Sequence, residues 1–395
     1  MAEVAAKAGV VRRVAIPLRR AIRVRLQVLT APAKPRLRRA FPSRRFAATA
    51  VVVGLACFFA MELSLGWAVH TERSPLRDPI YFDKLAKLRQ HSAFFPTASA
   101  AGSNTVLFIG SSRTLNAVDA RAAQAKLSHA LGRHVETFNF GQAGAGPVTN
   151  AIYLRRLLKE GVKPAFAVIE VHPTFLAGQR PDPPETRWLL PIRLRPDEMP
   201  LVHAMGFPAK PPAVHGPRGL LAPWYEYRFL LLDRYAPFFL MTDQRLNGGH
   251  ESDDFGFTRL QDDIDADSKK RLLAIAFSQY AYYLDGYRPN GCGIEAIRDA
   301  LDVCRAAGIR AAIAFLPEST EWRGWYDPVG LKELDAVFAR IGKEYGVPVI
   351  DGRRWVPDGL ALDGHHLAGA GADVFTDRLV REALVPWMRG GRGTP

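Results

Sequence analysis

A short apolar run that ends in glycine and two serines is the feature that most limits the fold. Residues 106–109, Val-Leu-Phe-Ile, are followed by Gly110, Ser111 and Ser112. An unbroken apolar run bounded by turn residues is typical of a strand buried on both faces, as in a parallel sheet. Residues 115–131 then place apolar side chains at roughly helical spacing. A strand, a sharp turn and a helix would present a serine at the carboxyl edge of the sheet, beside helix N–H groups that favour negative charge.

The same alternation of strands and helices continues along the chain. The predicted strands are 104–110, 135–141, 164–171, 309–316 and 347–351, and the predicted helices are 115–131, 148–160, 225–232, 267–284, 293–307, 330–345 and 370–388. Residues 172–265 are rich in proline, arginine and aromatics and predict a long insertion. This order favours an α/β sheet with helices on both faces. In such a sheet, ligands bind beyond the carboxyl ends of the strands.

The amino-terminal region carries most of the charge and predicts a membrane anchor. Residues 1–45 hold thirteen Lys and Arg and one acid, a net of +12 out of +14 for the whole chain. Residues 46–61 carry no charge, and about 20 apolar residues are enough to span a bilayer. The positive-inside rule keeps the basic end in the cytoplasm. We therefore predict a cytoplasmic tail over 1–45, a single membrane span over 46–70 and a connector over 71–103, with the rest outside the cytoplasm.

Two other uses of the apolar run stay open. A cleaved signal peptide would need a small-residue cleavage site, and none is convincing near residues 66–70. A lipid-modified Cys57 is conceivable, but Gly54 is a poor match three residues before it. Glu62 lies near the outer end of the span, where an acid can reach headgroup water.

Charge and cysteine content exclude two other classes of protein. Outside the tail the net charge is only +2, so the tail is expected to contact anionic lipid rather than nucleic acid. Cys292 and Cys304 bracket a predicted helix and lie too far apart to form a disulfide. The predicted outer domain is therefore not a disulfide scaffold, and the spacing indicates no zinc site.

An acid and two histidines near the carboxyl end supply what an active serine needs. Residues 362–367 read Leu-Asp-Gly-His-His-Leu, just before the last predicted helix. Asp363 could orient His366 while His366 takes the proton of a serine. A metal-binding accident or a solvated loop would give the same pattern, and Ser111 and Ser112 could merely cap a helix. We predict no metal and no cofactor.

Three blocks of the sequence together resemble the SGNH/GDSL hydrolase superfamily. They are Gly110-Ser-Ser112, Asn139-Phe-Gly-Gln-Ala-Gly144 and Asp363-Gly-His-His-Leu367. The resemblance implies a three-layer, flavodoxin-like parallel sheet over residues 104–390. It also implies Ser112 as nucleophile, His366 as base, Asp363 as its orienting acid, and the N–H groups of Ser112 and Gly144 as donors to an oxyanion.

The third block departs from the family pattern. The chain reads Ile169-Glu-Val-His-Pro-Thr174, without the asparagine that supplies an oxyanion donor in the family. His172 could substitute through a ring N–H, or the donor is missing. Losing one such donor typically costs about 10²–10³ in rate. Arg113 could bind an anionic substrate group or pair with an acid at the surface.

The middle serine, the lost asparagine and the anchor are similar to one branch of the family. That branch contains the alginate O-acetyltransferase-like proteins and the D-alanyl-lipoteichoic acid transfer protein. The resemblance implies a serine esterase or O-acyltransferase that acts outside the cytoplasm on an acylated surface glycan or polymer, with a multi-span membrane acyltransferase as a candidate partner. The alternative is a catalytically degenerate SGNH fold that binds glycan or that acyltransferase.

Overall fold

The computed structural model describes residues 44–70, 78–95, 104–189, 193–208, 222–241, 245 and 251–390. The chain divides into two compact units, residues 1–59 and 60–395. Since the described residues begin at Arg44, the predicted cytoplasmic tail, residues 1–45, lies almost entirely outside them. Parts of the predicted connector and of the predicted insertion lie outside them as well.

Five parallel strands form one sheet in the second unit. They are β1 (Thr105–Ile109), β2 (Glu136–Asn139), β3 (Phe166–Val171), β4 (Arg310–Phe315) and β5 (Val349–Asp351). The order across the sheet is β2-β1-β3-β4-β5, the flavodoxin-like order. All neighbouring strands run parallel, so every carboxyl end lies at one edge. The predicted α/β fold class is confirmed.

Alternating side chains of the strands supply two hydrophobic cores. In β1, Leu107 and Ile109 belong to one buried cluster, whereas Val106 and Phe108 belong to the other. Successive side chains of a strand point to opposite faces, so the two clusters lie on opposite sides of the sheet. The result is a sheet between two layers of helices, as predicted.

The described helices include a counterpart of every predicted helix and three short helices that were not predicted. They are α1 (Arg44–His70), α2 (Pro79–Leu88), α3 (Ser112–Ala117), α4 (Ala120–Leu131), α5 (Pro147–Lys159), α6 (Met199–Ala204), α7 (Pro223–Tyr235), α8 (Ala266–Leu284), α9 (Cys292–Ala306), α10 (Thr320–Gly324), α11 (Pro328–Tyr345), α12 (Gly369–Arg378) and α13 (Val385–Arg389). The single helix predicted over 115–131 is two helices. Asp119 starts the second one, since its side chain accepts the N–H of Ala122 at 2.9 Å. Cys292 and Cys304 are free thiols, both buried, so the prediction that they form no disulfide is confirmed.

The predicted connector is partly a structural element of the α/β body. Tyr81 and Leu85 of α2 are fully buried in the hydrophobic core. Asp78, which caps α2, accepts hydrogen bonds from Arg156 at 2.9 Å and from Arg193 at 3.2 Å, and all three side chains are buried. Buried charges are tolerated when they are paired in this way. Residues 78–95 therefore belong to the domain that the sequence predicted to begin at residue 104.

Helix α1 is long and apolar enough to cross a membrane over Arg44–Ala68. Glu62 differs from its prediction, because its side chain does not reach towards water. It is 3% exposed and accepts the backbone N–H of Trp224, at the start of α7, at 3.1 Å. Helix α7 belongs to the predicted insertion, so this insertion contacts the last turns of α1.

Candidate active site

The side chains of Ser111 and Ser112, in the turn after β1, have different hydrogen-bond partners. Ser111 caps α3, since its Oγ accepts the N–H of Arg113 at 3.0 Å. Ser112 is the first residue of α3, and its hydroxyl donates to Nε2 of His366 at 2.7 Å. The capping alternative therefore applies to Ser111, and the Ser112 hydroxyl is left for chemistry.

The side chain of Glu170, near the end of β3, forms hydrogen bonds to this turn. Its buried carboxylate accepts the N–H of Ser111 at 2.6 Å, the hydroxyl of Ser111 at 2.8 Å and the hydroxyl of Thr114 at 2.6 Å. Gly110 makes room for it, because a Cβ at this position would lie 2.2 Å from Oε2 of Glu170. Glu170 is therefore a positioning residue for the turn that carries Ser112.

The loop before α12 places the base. Oδ1 of Asp363 accepts the backbone N–H groups of His365 at 3.2 Å and His366 at 2.8 Å. Gly364 has a φ of +93°, a left-handed conformation that favours glycine. The loop closes where the N–H of Leu362 donates to the carbonyl of His366 at 2.8 Å. The aspartate thus fixes the backbone of the residue whose ring it also binds.

Ser112, His366 and Asp363 form one continuous hydrogen-bonded chain. Nδ1 of His366 donates to Oδ2 of Asp363 at 2.6 Å, which leaves Nε2 to accept from Ser112. Burial alone would raise the pKa of Asp363, but the neighbouring histidines and the hydrogen bonds of His366 hold that pKa well below its usual range. An ionised aspartate stabilises the positive charge that His366 acquires when it takes a proton.

Two backbone N–H groups at the same edge of the sheet are available to an oxyanion. Within the described part of the chain, the N–H groups of Ser112 and Gly144 form no hydrogen bond. The loop of Gly144 is tied to the serine turn, since the N–H of Gln142 donates to the carbonyl of Gly110 at 3.0 Å. Gly144 has a φ of +72°. The oxyanion role of these two groups stays a prediction.

His172 lies in a cluster of aromatic rings. Its ring centre is 4.8 Å from that of Phe175, 5.7 Å from His365 and 6.3 Å from Trp322. Burial and the charge of Arg113 lower the pKa of His172, so the ring is neutral. Neither ring nitrogen forms a hydrogen bond with a described residue. The ring N–H of His172 therefore has no described partner, and its role as a donor to an oxyanion stays a prediction.

Arg113 differs from the prediction that it binds substrate. Its side chain is 1% exposed and points into the body of the protein. Its guanidinium donates to Oε1 of Glu318 at 3.3 Å and to the carbonyl of Leu316 at 2.8 Å. Burial raises the pKa of Glu318 against the opposing charge of Arg113. Arg113 is therefore an internal ion-pair residue that joins the serine turn to the end of β4.

The insertion adds two residues that the sequence did not indicate. Glu185 accepts the N–H groups of Gly146 at 3.2 Å, Val148 at 3.0 Å and Thr149 at 2.7 Å, and so caps α5. Trp188 lies against the loop of Gly144, since a Cβ on Gly144 would be 2.8 Å from the Cβ of Trp188. Residues 184–188 follow a proline-rich run whose sequence has no periodic signal, so no pattern pointed to them.

One group of residues at this site could also bind a metal ion. The ligand atoms of Asp363, His365 and His366 lie within 4.8 Å of one another. A metal there would displace the hydrogen bonds that link His366 to Ser112 and Asp363. Burial lowers the pKa of His365, whose ring packs 4.1 Å from that of Trp322. The ring of His365 therefore packs beside that of His366, with the two ring centres 4.1 Å apart.

The fold and the side-chain geometry define an α/β protein with a Ser–His–Asp arrangement at the carboxyl edge of its sheet. Residues 81–181 match a family model described as a protein of unknown function, DUF1574. No curated protein matches the chain.

The chain also resembles solved structures of esterases and of a lipase. The psychrotrophic esterase EstA from Pseudoalteromonas is 11% identical over 73% of this chain and 100% of that chain, with a TM-score of 0.34. A GDSL-like lipase from Bacteroides thetaiotaomicron is 11% identical over 78% and 99%, with a TM-score of 0.36. An acetyl-xylooligosaccharide esterase from Geobacillus is 13% identical over 71% and 94%, with a TM-score of 0.31. These likenesses are distant, with at most 13% identity and TM-scores below 0.5.

Proposed function

We propose that this protein is a membrane-anchored serine esterase or O-acyltransferase of the SGNH type, acting outside the cytoplasm on acyl esters of a cell-surface polysaccharide or polymer. One observation carries the proposal: Ser112 donates to His366 at 2.7 Å, and His366 donates to Asp363 at 2.6 Å. A hydroxyl, a base in hydrogen-bond reach and an acid that orients the base are the three parts of an activated nucleophile.

In the first step, Ser112 Oγ attacks the carbonyl carbon of the ester while its proton passes to Nε2 of His366. The carbonyl oxygen becomes negative and needs donors, for which the N–H groups of Ser112 and Gly144 are suited. The intermediate then expels the alcohol, which takes the proton from His366. The acyl group stays on Ser112 as an ester.

In the second step, an acceptor hydroxyl attacks the carbonyl carbon of the acyl-serine while its proton passes to Nε2 of His366. His366 then gives this proton to Ser112 Oγ as the bond from Ser112 to the acyl group breaks. Water as acceptor gives hydrolysis, and a sugar hydroxyl gives transfer. The half-buried indole of Trp188, beside Gly144, is suited to lining the space where an acceptor would bind. A positioned hydroxyl can outcompete water, since orientation alone lowers the barrier by several kcal/mol.

The location of the reaction follows from the predicted anchor. A basic segment precedes α1, so the positive-inside rule favours an α/β body outside the cytoplasm. Acylated surface polymers would be within reach there, as would a multi-span membrane acyltransferase that could load Ser112.

Labelling with a fluorophosphonate probe tests the nucleophile. The detergent-solubilised full chain should react, with the label on Ser112, and should cleave small activated acetyl esters. Ser112→Ala should lose both activities by about 10³-fold or more. The matched control is Ser278→Ala, which removes an exposed hydroxyl on α8. With an acetyl donor and a surface-type oligosaccharide, transfer predicts faster donor consumption and acetylated sugar. A wild-type protein that neither labels nor consumes ester would instead favour a non-catalytic binding protein.

A further inference from the structure

Helix α7 and the turn that follows it expose an unusual run of large apolar side chains. Seven of them, here named the aromatic patch, are 45–73% exposed: Trp224, Tyr225, Phe229, Tyr235, Phe238, Phe239 and Met241. The other face of α7 is buried through Tyr227, Leu230 and Leu231. Soluble domains rarely expose contiguous apolar surface of this extent, and such a patch marks an interaction site.

The start of α7 is joined to helix α1. The N–H of Trp224 donates to Glu62 at 3.1 Å, and a Cβ on Gly66 would lie 3.6 Å from Pro223. The α7 start has no capping side chain of its own, so Glu62 supplies it. The positive end of the helix dipole in turn stabilises an acid in an otherwise apolar segment.

The depth of this contact can be estimated from helix geometry. Glu62 lies six residues before Ala68, where the apolar span ends. At about 1.5 Å per residue, the start of α7 is about 9 Å inside that end. Interfacial helices bury their apolar face by about 5–10 Å into the boundary between headgroups and acyl chains. The depth of the start of α7, about 9 Å, lies within the range of about 5–10 Å for interfacial helices.

The composition of the patch also fits a membrane interface. Tryptophan and tyrosine are the side chains enriched where headgroups meet hydrocarbon. The Arg228 guanidinium lies 3.9 Å from the ring centre of Tyr225 and 4.6 Å from that of Phe229. An arginine held against aromatic rings in this way can bind a lipid phosphate through its guanidinium while its aliphatic carbons stay in apolar surroundings.

We infer that the aromatic patch docks on the bilayer that α1 spans, in the leaflet at the carboxyl end of α1. Helix α7 then lies in the interface and attaches the α/β body to the membrane at a second point. The occupant of the patch is lipid. The inference needs α1 to span the membrane, but it is independent of the chemistry at Ser112.

A fluorescent label on the patch tests the inference in the full chain. The protein is reconstituted into phosphatidylcholine–phosphatidylglycerol vesicles as Phe238→Cys in a Cys57→Ala background, and a nitrobenzoxadiazole dye is attached. Cys292 and Cys304 are buried and stay in place. Val329→Cys, 54% exposed at the start of α11, is the matched control, and Leu63→Cys reports on the anchor.

The expected result is blue-shifted emission at position 238 and quenching by doxyl-labelled lipid several-fold greater than at position 329. If position 63 is quenched by lipid but position 238 behaves like 329, the docking inference is wrong and the anchor stands. If position 63 is not quenched, the anchor and the docking both fail. Shielding of position 238 from lipid and from aqueous iodide alike means that a second copy of the chain covers the patch, and this also overturns the inference.

A double substitution gives an independent check. Phe238→Asp with Phe239→Asp should lower lipid quenching of a dye at Tyr235→Cys to the level of the Val329 control. Cooperative urea unfolding of the same variant in detergent shows that the body is folded. Quenching at position 235 that survives both aspartates contradicts lipid docking of the patch.

Discussion

At the scale of single residues, the site depends on which of two adjacent serines keeps a free hydroxyl. Ser111 is bound to Glu170 and to the N–H of Arg113, whereas among the described residues the Ser112 hydroxyl has one hydrogen-bond partner, His366. Glu170 distinguishes the two serines, because its carboxylate accepts both the backbone N–H and the side-chain hydroxyl of Ser111. A glutamine there would offer one acceptor oxygen and would aim an NH₂ group at donors.

We therefore predict that Glu170→Gln weakens both the fold and the site. A buried group that loses charged hydrogen bonds costs about 2–4 kcal/mol, so the free energy of unfolding should fall by that amount. Fluorophosphonate labelling of Ser112 should also slow. Urea unfolding and labelling rates measure the two effects. Glu160→Gln, whose carboxylate pairs with the exposed Arg89, is the control, and equal behaviour of the two variants would refute the prediction.

Ser112, His366 and Asp363 could be recognised in the sequence, but the surroundings of Arg113 and His172 could not be predicted from it. Ser112, Asp363 and His366 lie in short local motifs, in which the order and spacing of the residues indicate which residue could act in which role. Arg113 and His172 depend on what surrounds them in three dimensions. Glu318, which pairs with Arg113, is 205 residues away along the chain, so no local pattern indicated that this arginine is internal.

At the scale of elements, the insertion is attached to the site through the first turn of α5. Glu185 replaces the missing side-chain cap of this helix, whose own cap position is Gly146. The same segment then places Trp188 against Gly144. The position of Trp188 beside Gly144 is therefore linked to one buried carboxylate, that of Glu185.

We predict that Glu185→Gln loosens this attachment. The amide accepts at one oxygen, so at least one of the N–H groups of Gly146, Val148 and Thr149 loses its partner. The expected loss of stability is about 1–3 kcal/mol. Hydrogen exchange should speed up for residues 146–149 and for the turn 184–187. Glu251→Gln, an exposed position, should leave this exchange unchanged, and the prediction fails if Glu185→Gln does the same.

Element positions were predictable because apolar periodicity and glycine-bounded runs are local. The five strands and most helices were found in this way. The break at Asp119 and the packing of α2 were not, since a short helix such as 79–88 is fixed by its contacts. Tyr81 packs against Phe140 and Tyr153, and this contact appears only once the chain has folded.

At the scale of the whole molecule, two buried histidines couple the fold to pH. Burial lowers the pKa of His172 and His365 well below the ordinary 6.5. Arg113 lowers both further, while Asp363 opposes the shift of His365 only in part. Below pH 6.5 the unfolded chain takes up protons that the folded chain does not. Stability must then fall as the pH falls, by up to about 1.4 kcal/mol per pH unit for each histidine.

Urea unfolding of the solubilised chain at pH 7.5, 6.5 and 5.5 measures this dependence. We expect a loss of less than about 1 kcal/mol between the first two values and of up to about 2 kcal/mol between the last two. His172→Gln should remove about half of that loss, whereas His129→Gln, at an exposed position of α4, should not. A wild-type protein whose stability is flat down to pH 5.5 would contradict the buried neutral state of both rings.

The distance along the chain between Ser112 and His366 has a consequence for biosynthesis. The two residues are 254 positions apart along the chain. At about 5–20 residues per second, the ribosome needs roughly 13–50 s to proceed from one to the other. During that interval the serine turn lacks the histidine to which Ser112 donates, so the proposed nucleophile has no base. Under the proposed mechanism, reactivity therefore arises only after His366 has been synthesised, and a chain that stops before His366 is chemically silent.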